Sequence, residues 1–63
     1  MLDYEKVATL RKELKMSQVE LAEKSGIAQS HLSEMERGLY TPTIKRLGPL
    51  AEALGITVSD LFK

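Results

Sequence analysis

Residues 16–38 read MSQVELAEKSGIAQSHLSEMERG, and the punctuation of this stretch decides the fold. Ser17 stands where a helix begins, with Glu20 three residues on. Such a pair satisfies two orphan backbone N–H groups reciprocally, and Met16 and Leu21 are placed to clasp each other across it. Leu21 and Ala22 then supply an inward face at helical spacing. Gly26 follows as the residue that takes a left-handed backbone at no steric cost. A second apolar set, Ile27, Leu32 and Met35, begins beyond it, and Gly38 stops the helix that carries them. Two short helices joined by about four residues containing glycine have the spacing of a helix-turn-helix. Ala22 is small where the two would cross closely. Ala28 stands where the second helix wants a cap, and alanine there costs typically about 1 kcal/mol relative to Ser or Thr.

Outward from this pair the apolar residues keep a helical period: Val7, Leu10 and Leu14 before it, then Leu47, Leu50, Ala51 and Leu54, then Leu61 and Phe62. Asp3 and Thr43 are candidate caps. Thr57 and Asp60 repeat the capping box, with Ile56 and Leu61 as its staple, and Gly55 ends the helix before it. Gly48-Pro49 admits two outcomes. Either the fourth helix kinks there, or a short turn precedes a helix with Pro49 near its first position. The expected helices lie near 3–15, 17–24, 29–37, 44–54 and 58–63, an all-α fold of five helices.

With 63 residues the chain is read as one domain, 1–63, of a size that buries only about 60 % of its unfolded surface. It has no cysteine, so neither a disulfide nor a thiolate metal site is available. Its one histidine, His31, has no second ligand of its kind, so no metal is expected. The glycines are scattered as helix stops and form no phosphate loop, and no cofactor is implied. An enzyme is a poor reading, because no nucleophile stands with a base and an orienting acid. No run approaches the roughly 20 apolar residues of a membrane span, and no signal peptide opens the chain. A soluble, cytoplasmic helical domain is expected.

Charge complicates a nucleic-acid reading. Nine bases balance nine acids, whereas such domains are more often basic. Residues 1–16 hold four bases and three acids, residues 17–38 two and four, and residues 39–63 three and two. The helix pair is therefore the acidic part. What matters is which charges face a phosphate backbone.

Together these segments resemble the lambda-repressor/Cro-like (XRE-type) helix-turn-helix DNA-binding family. The resemblance covers about residues 4–62. It rests on S-Q-x-x-L-A at Ser17–Ala22, G-I at Gly26–Ile27, L-S-x-x-E-x-G at Leu32–Gly38 and A-x-x-L-G at Ala51–Gly55. It implies a compact five-helix domain, its helix-turn-helix at about residues 17–37, with the second motif helix in the major groove and its N-terminal residues on base edges. It also implies a transcriptional regulator, repressor-like, of prokaryotic or phage type and nucleoid-associated. Such a protein binds a palindromic operator in double-stranded DNA as a homodimer.

Carried over residue by residue, the base-reading positions are Gln29, Ser30 and Glu34, with Ser33 and His31 beside them. Gln29 is of the type that contacts adenine N6/N7 bidentately, with the base identity open and a solvated helix-start residue as the alternative. Glu34 admits three roles: accepting from cytosine N4, repelling non-target phosphates, or standing as a solvated acid. Gln18 matches a phosphate-gripping position, with Ser17 at the same helix start. Arg37, Tyr40, Lys45 and Lys24 are further phosphate candidates. Arg11 matches a first-helix base that pairs with Glu36, which would neutralise that acid internally. Two alternatives stand beside this reading. One is a protein-interaction module of the same fold, antitoxin-like or regulator-binding. The other is a domain from a longer protein.

Overall fold

In the computed structural model, which describes residues 1–63, the expected capping box is present. The Glu20 N–H donates to Ser17 Oγ at 3.1 Å, and the Ser17 N–H donates to Glu20 Oε1 at 3.0 Å. This box opens α2 (Gln18–Ser25), the second helix of the chain after α1 (Tyr4–Glu13). Asp3 caps α1 by accepting from the Lys6 N–H at 3.2 Å. Gly26 ends α2 at φ 72°, in the left-handed region anticipated for it. Ser25, just before it, is buried; its hydroxyl donates to the Leu21 carbonyl at 2.7 Å and accepts from the Ile27 N–H at 3.3 Å. That side chain ties the end of α2 to the start of α3 (Gln29–Glu36). Ala28 precedes α3 with no side-chain cap.

The remaining helix, α4, runs unbroken from Ile44 to Leu54 with Pro49 inside it. Of the two outcomes for Gly48-Pro49, the short turn before a helix starting near Pro49 is therefore ruled out, and the helix passes through both residues. Both residues lie on the exposed side, where water can serve a carbonyl that the missing N–H leaves unpaired. Thr43 precedes α4 in extended backbone, but its hydroxyl makes no capping bond, contrary to expectation.

The fifth helix is a correction. Only a single 3-10 turn, Ser59–Leu61, forms there. The Thr57–Asp60 box does form, with both of its bonds at 3.3 Å. The chain then turns extended at Phe62, because its backbone finds partners at the other terminus. Leu2 and Phe62 make an antiparallel bridge, the Asp3 N–H donates to the Leu61 carbonyl at 2.8 Å, and the Lys63 N–H donates to the Met1 carbonyl at 2.9 Å. Those bonds compete with further helix.

Every element contributes to one core: Leu2, Val7, Met16, Leu21, Ile27, Leu32, Met35, Leu50, Ala51, Leu54 and Leu61. Full burial of an aliphatic side chain contributes roughly 1.5–3 kcal/mol. α2 packs on α3 and α4, and α1 packs on α3, α4 and the 3-10 turn. Leu14, expected in this set, is exposed at the end of α1, where the backbone turns at Lys15 with φ 58°. No helix is long and apolar enough to cross a membrane.

Candidate nucleic-acid interface

Three elements meet at an ion pair. Arg11 on α1 forks onto Glu36 at the end of α3: Nε donates to Oε2 at 2.7 Å and Nη2 to Oε1 at 2.9 Å. A third bond runs from Nη1 to the Met16 carbonyl at 2.9 Å. The two side chains are only 11 % and 8 % exposed. Burial works against the Glu36 carboxylate, but hydrogen bonds from Arg11 and Gln18, with the charges of Arg11 and Lys12, outweigh it and hold its pKa below the usual range. The Glu36 hydrogen bond raises Arg11 against the opposing effect of burial. One of the four acids in residues 17–38 is therefore paired inside the protein and turned away from any ligand of α3.

Gln18 joins this cluster. Its Nε2 donates to Glu36 Oε1 at 3.1 Å. A side-chain amide nitrogen carries two hydrogens, so this bond fixes the group and leaves one donor at the start of α2. The Ser17 hydroxyl accepts its capping bond and keeps its O–H as a donor.

On α3, Gln29, Ser30 and His31 are exposed, and Ser33 and Glu34 are half-buried. The side chains of Gln29, Ser30 and Glu34 form no ion pair, and no hydrogen bond within the protein engages them. His31 turns sideways. Its ring stacks on Tyr40, centroids 4.5 Å apart and planes at 10°.

Beside that stack lies a cleft of about 420 Å³, walled by the turn Gly26–Ala28, His31, Tyr40, Thr43, Lys45 and Arg46. It brings together His31, Tyr40 and Lys45 from the sequence candidates. Lys24 stands elsewhere, in a cleft between α2 and α4 with Pro49, Glu52 and Ala53. Arg37 is exposed just after α3. From Arg37 to Ala51 the chain holds three bases and no acid. The balanced net charge thus conceals a basic strip following α3.

Arg46 was not among the sequence candidates. A signal for it existed: Lys45 and Arg46 fall in the first turn of α4, which holds no acid. A cation near the positive end of a helix costs typically about 0.3–1 kcal/mol. The two α-helix starts without side-chain caps, at Ala28 and Thr43, both border this cleft. Backbone N–H groups at such ends suit anions.

Fold and exposed polar helix together define a helix-turn-helix domain. A family model described as helix-turn-helix matches residues 7–61. The chain belongs to that family, in its lambda-repressor/Cro-like (XRE-type) branch. It is 44 % identical over 57 residues to the immunity repressor protein of Bacillus phage phi105, covering 90 % of this chain and 40 % of that protein. It is 41 % identical over 59 residues to the transcriptional regulator SinR of Bacillus subtilis, covering 92 % of this chain and 53 % of SinR. The chain thus spans about half or less of these two relatives. The P22 c2 repressor, solved with a synthetic operator, superposes with a TM-score of 0.92 at 30 % identity, over all of this chain and 96 % of that one. SinR solved with DNA gives 0.84 at 39 % identity, over 92 % and 94 %. SinR has also been solved in complex with SinI protein, at 0.85 and 39 % identity, over 97 % and 59 %. These relatives are transcriptional regulators and repressors.

Proposed function

We propose that this chain is a sequence-specific DNA-binding transcriptional regulator of repressor type, acting in the bacterial cytoplasm rather than as an enzyme. The observation that carries this reading is the state of α3: Gln29 and Ser30 are exposed and uncommitted, while Glu36 is neutralised by Arg11. α3 enters the major groove with its N-terminal residues on base edges. Gln29 pairs bidentately with an adenine and Ser30 bonds to the neighbouring step. Ser33 and Glu34 follow on the same helix, and His31 lies beside a phosphate with Tyr40. Gln18, Ser17, Arg37 and Lys45 hold the backbone, and Lys24 adds a more distant charge. Two copies bind a two-fold-symmetric operator, with half-sites about 34–36 Å apart.

Selection of bound duplexes from a random pool, followed by the double substitution Gln29→Ala and Ser30→Ala, tests the reading. The selected sites should be palindromic, and the double variant should lose them while its circular dichroism stays helical. A pool with no enriched sequence would overturn it.

A second reading, a protein-interaction module of the same fold, draws on Leu39 and Ile44, which flank the loop after α3 at 67 % and 88 % exposure. The SinR complex with SinI is a precedent in a relative. Unaltered DNA binding by the α3 double variant, with loss of a protein partner, would favour this second reading.

A further inference from the structure

We infer that Arg46 is a phosphate clamp, gripping a DNA backbone phosphate across the turn between α2 and α3; this rests on the DNA-binding reading above. Its guanidinium is folded back over the turn. A Cβ placed on Gly26 would come within 2.8 Å of Arg46 Nη1. The side chain thus spans from the start of α4 to the residue that ends α2, at the mouth of the cleft holding Lys45 and the His31–Tyr40 stack.

Nothing in the protein explains the cost of this placement. The ion pairs are Arg11–Glu36 and Lys63–Glu5, so Arg46 has no carboxylate partner. The helix it starts offers no acid in its first turn, and its positive end opposes both Arg46 and Lys45. A local rule broken without an internal compensation marks a functional position. A phosphate is the ligand that removes the conflict, since it matches the guanidinium fork and neutralises charge at a helix start. A side chain at Gly26 would push the guanidinium aside, which a flexible arginine end allows; it is the φ of 72° that calls for glycine there.

The test measures anisotropy titrations of the whole chain at several salt concentrations, on a selected duplex and on a mixed-sequence duplex of equal length. Arg46→Gln should weaken binding to both by the same factor, roughly tenfold. The slope of log K against log salt should become shallower by about 0.9, as for one lost phosphate contact. Arg46→Lys should keep the slope and lose part of the affinity. The melting temperature of free Arg46→Gln should stay level or rise slightly, because a cation leaves the positive end of α4. Unchanged affinity and slope would overturn the assignment. So would a lowered melting temperature with unchanged slope, which would make Arg46 a structural cover for the turn. A loss confined to the selected duplex would make it a base reader instead. Failure of the unmodified chain to bind either duplex would bring down the DNA-binding reading itself.

Discussion

Replacing Glu36 with alanine tests the electrostatic centre of the domain. The substitution strands the Arg11 side chain, only 11 % exposed in the intact pair, with the Met16 carbonyl as its remaining partner. It also frees the Gln18 amide from its anchor. Breaking a buried pair by removing one member costs about 3–5 kcal/mol, chiefly because a charge is stranded. A chain of 63 residues has a total stability of roughly 3–9 kcal/mol at ordinary values per residue. Glu36→Ala should therefore consume most of the stability. With a urea m-value near 1 kcal/mol/M, the midpoint should fall by about 3–5 M. The double variant Arg11→Met with Glu36→Leu strands no charge and should recover most of that loss. Urea unfolding followed by circular dichroism measures both. If Glu36→Ala cost less than about 1 kcal/mol, or if the double variant were as unstable as the single one, the pair would not hold α1 to α3 as a buried ion pair.

The same pair sets a pH dependence. Glu36 has a lower pKa in the folded protein than its ordinary 4.5, so the unfolded chain takes up a proton first as pH falls. Its stabilisation is fully present above about 4.5 and is lost as pH drops through the lower folded value. Asp60, held down by the Thr57 side-chain and backbone hydrogen bonds, acts in the same direction. Arg11, raised further above neutrality, remains charged throughout. The urea midpoint should be level from pH 7 to 5 and fall below that; a midpoint rising on acidification would refute the sign.

Other substitutions probe the motif. Ala28→Ser supplies the cap that α3 lacks and should add about 1 kcal/mol, seen as a melting temperature higher by roughly 4–8 °C; an unchanged melt would mean the α3 start is already satisfied. Ser25→Ala removes a buried hydroxyl and orphans the Ile27 N–H. It should cost about 1–3 kcal/mol in urea unfolding, and a neutral result would contradict the role given to that hydroxyl. Glu34→Gln removes a half-buried carboxylate without a cation partner from α3. Binding to mixed-sequence duplex should tighten severalfold at low salt, with the gain fading as salt screens it; weaker binding would show that Glu34 makes a needed contact.

Much of the fold was legible because the signals were local. Ser17 with Glu20, Thr57 with Asp60, and Gly26 act over three or four residues, and each does in three dimensions what its chemistry dictates. The apolar period placed α1 to α4 to within a few residues. The fifth helix failed because its box controls only how a turn starts. Whether that turn lengthens depended on Leu2 and Phe62, sixty residues apart. Lys15 at positive φ gave no warning, since lysine is not a residue that signals a left-handed turn. Thr43 looked like a cap by type, yet its hydroxyl is not used.

For the candidate interface the division is sharper. The helical period left Gln29, Ser30 and Glu34 pointing outward, and only family resemblance made them base-reading candidates. The internal pairing of Glu36 was suggested only by family resemblance, since Arg11 lies 25 residues away. The bond from Gln18 to the same carboxylate, the stacking of His31 on Tyr40, and the reach of Arg46 over Gly26 depend on how helices are stacked. Helix starts, stops and inward faces are short-range properties that a linear chain can encode. Which charges are spent on one another and which are left facing outward is a Coulombic question. Distances through space answer it, and only the packed structure brings those groups within 3 Å of each other or holds them apart.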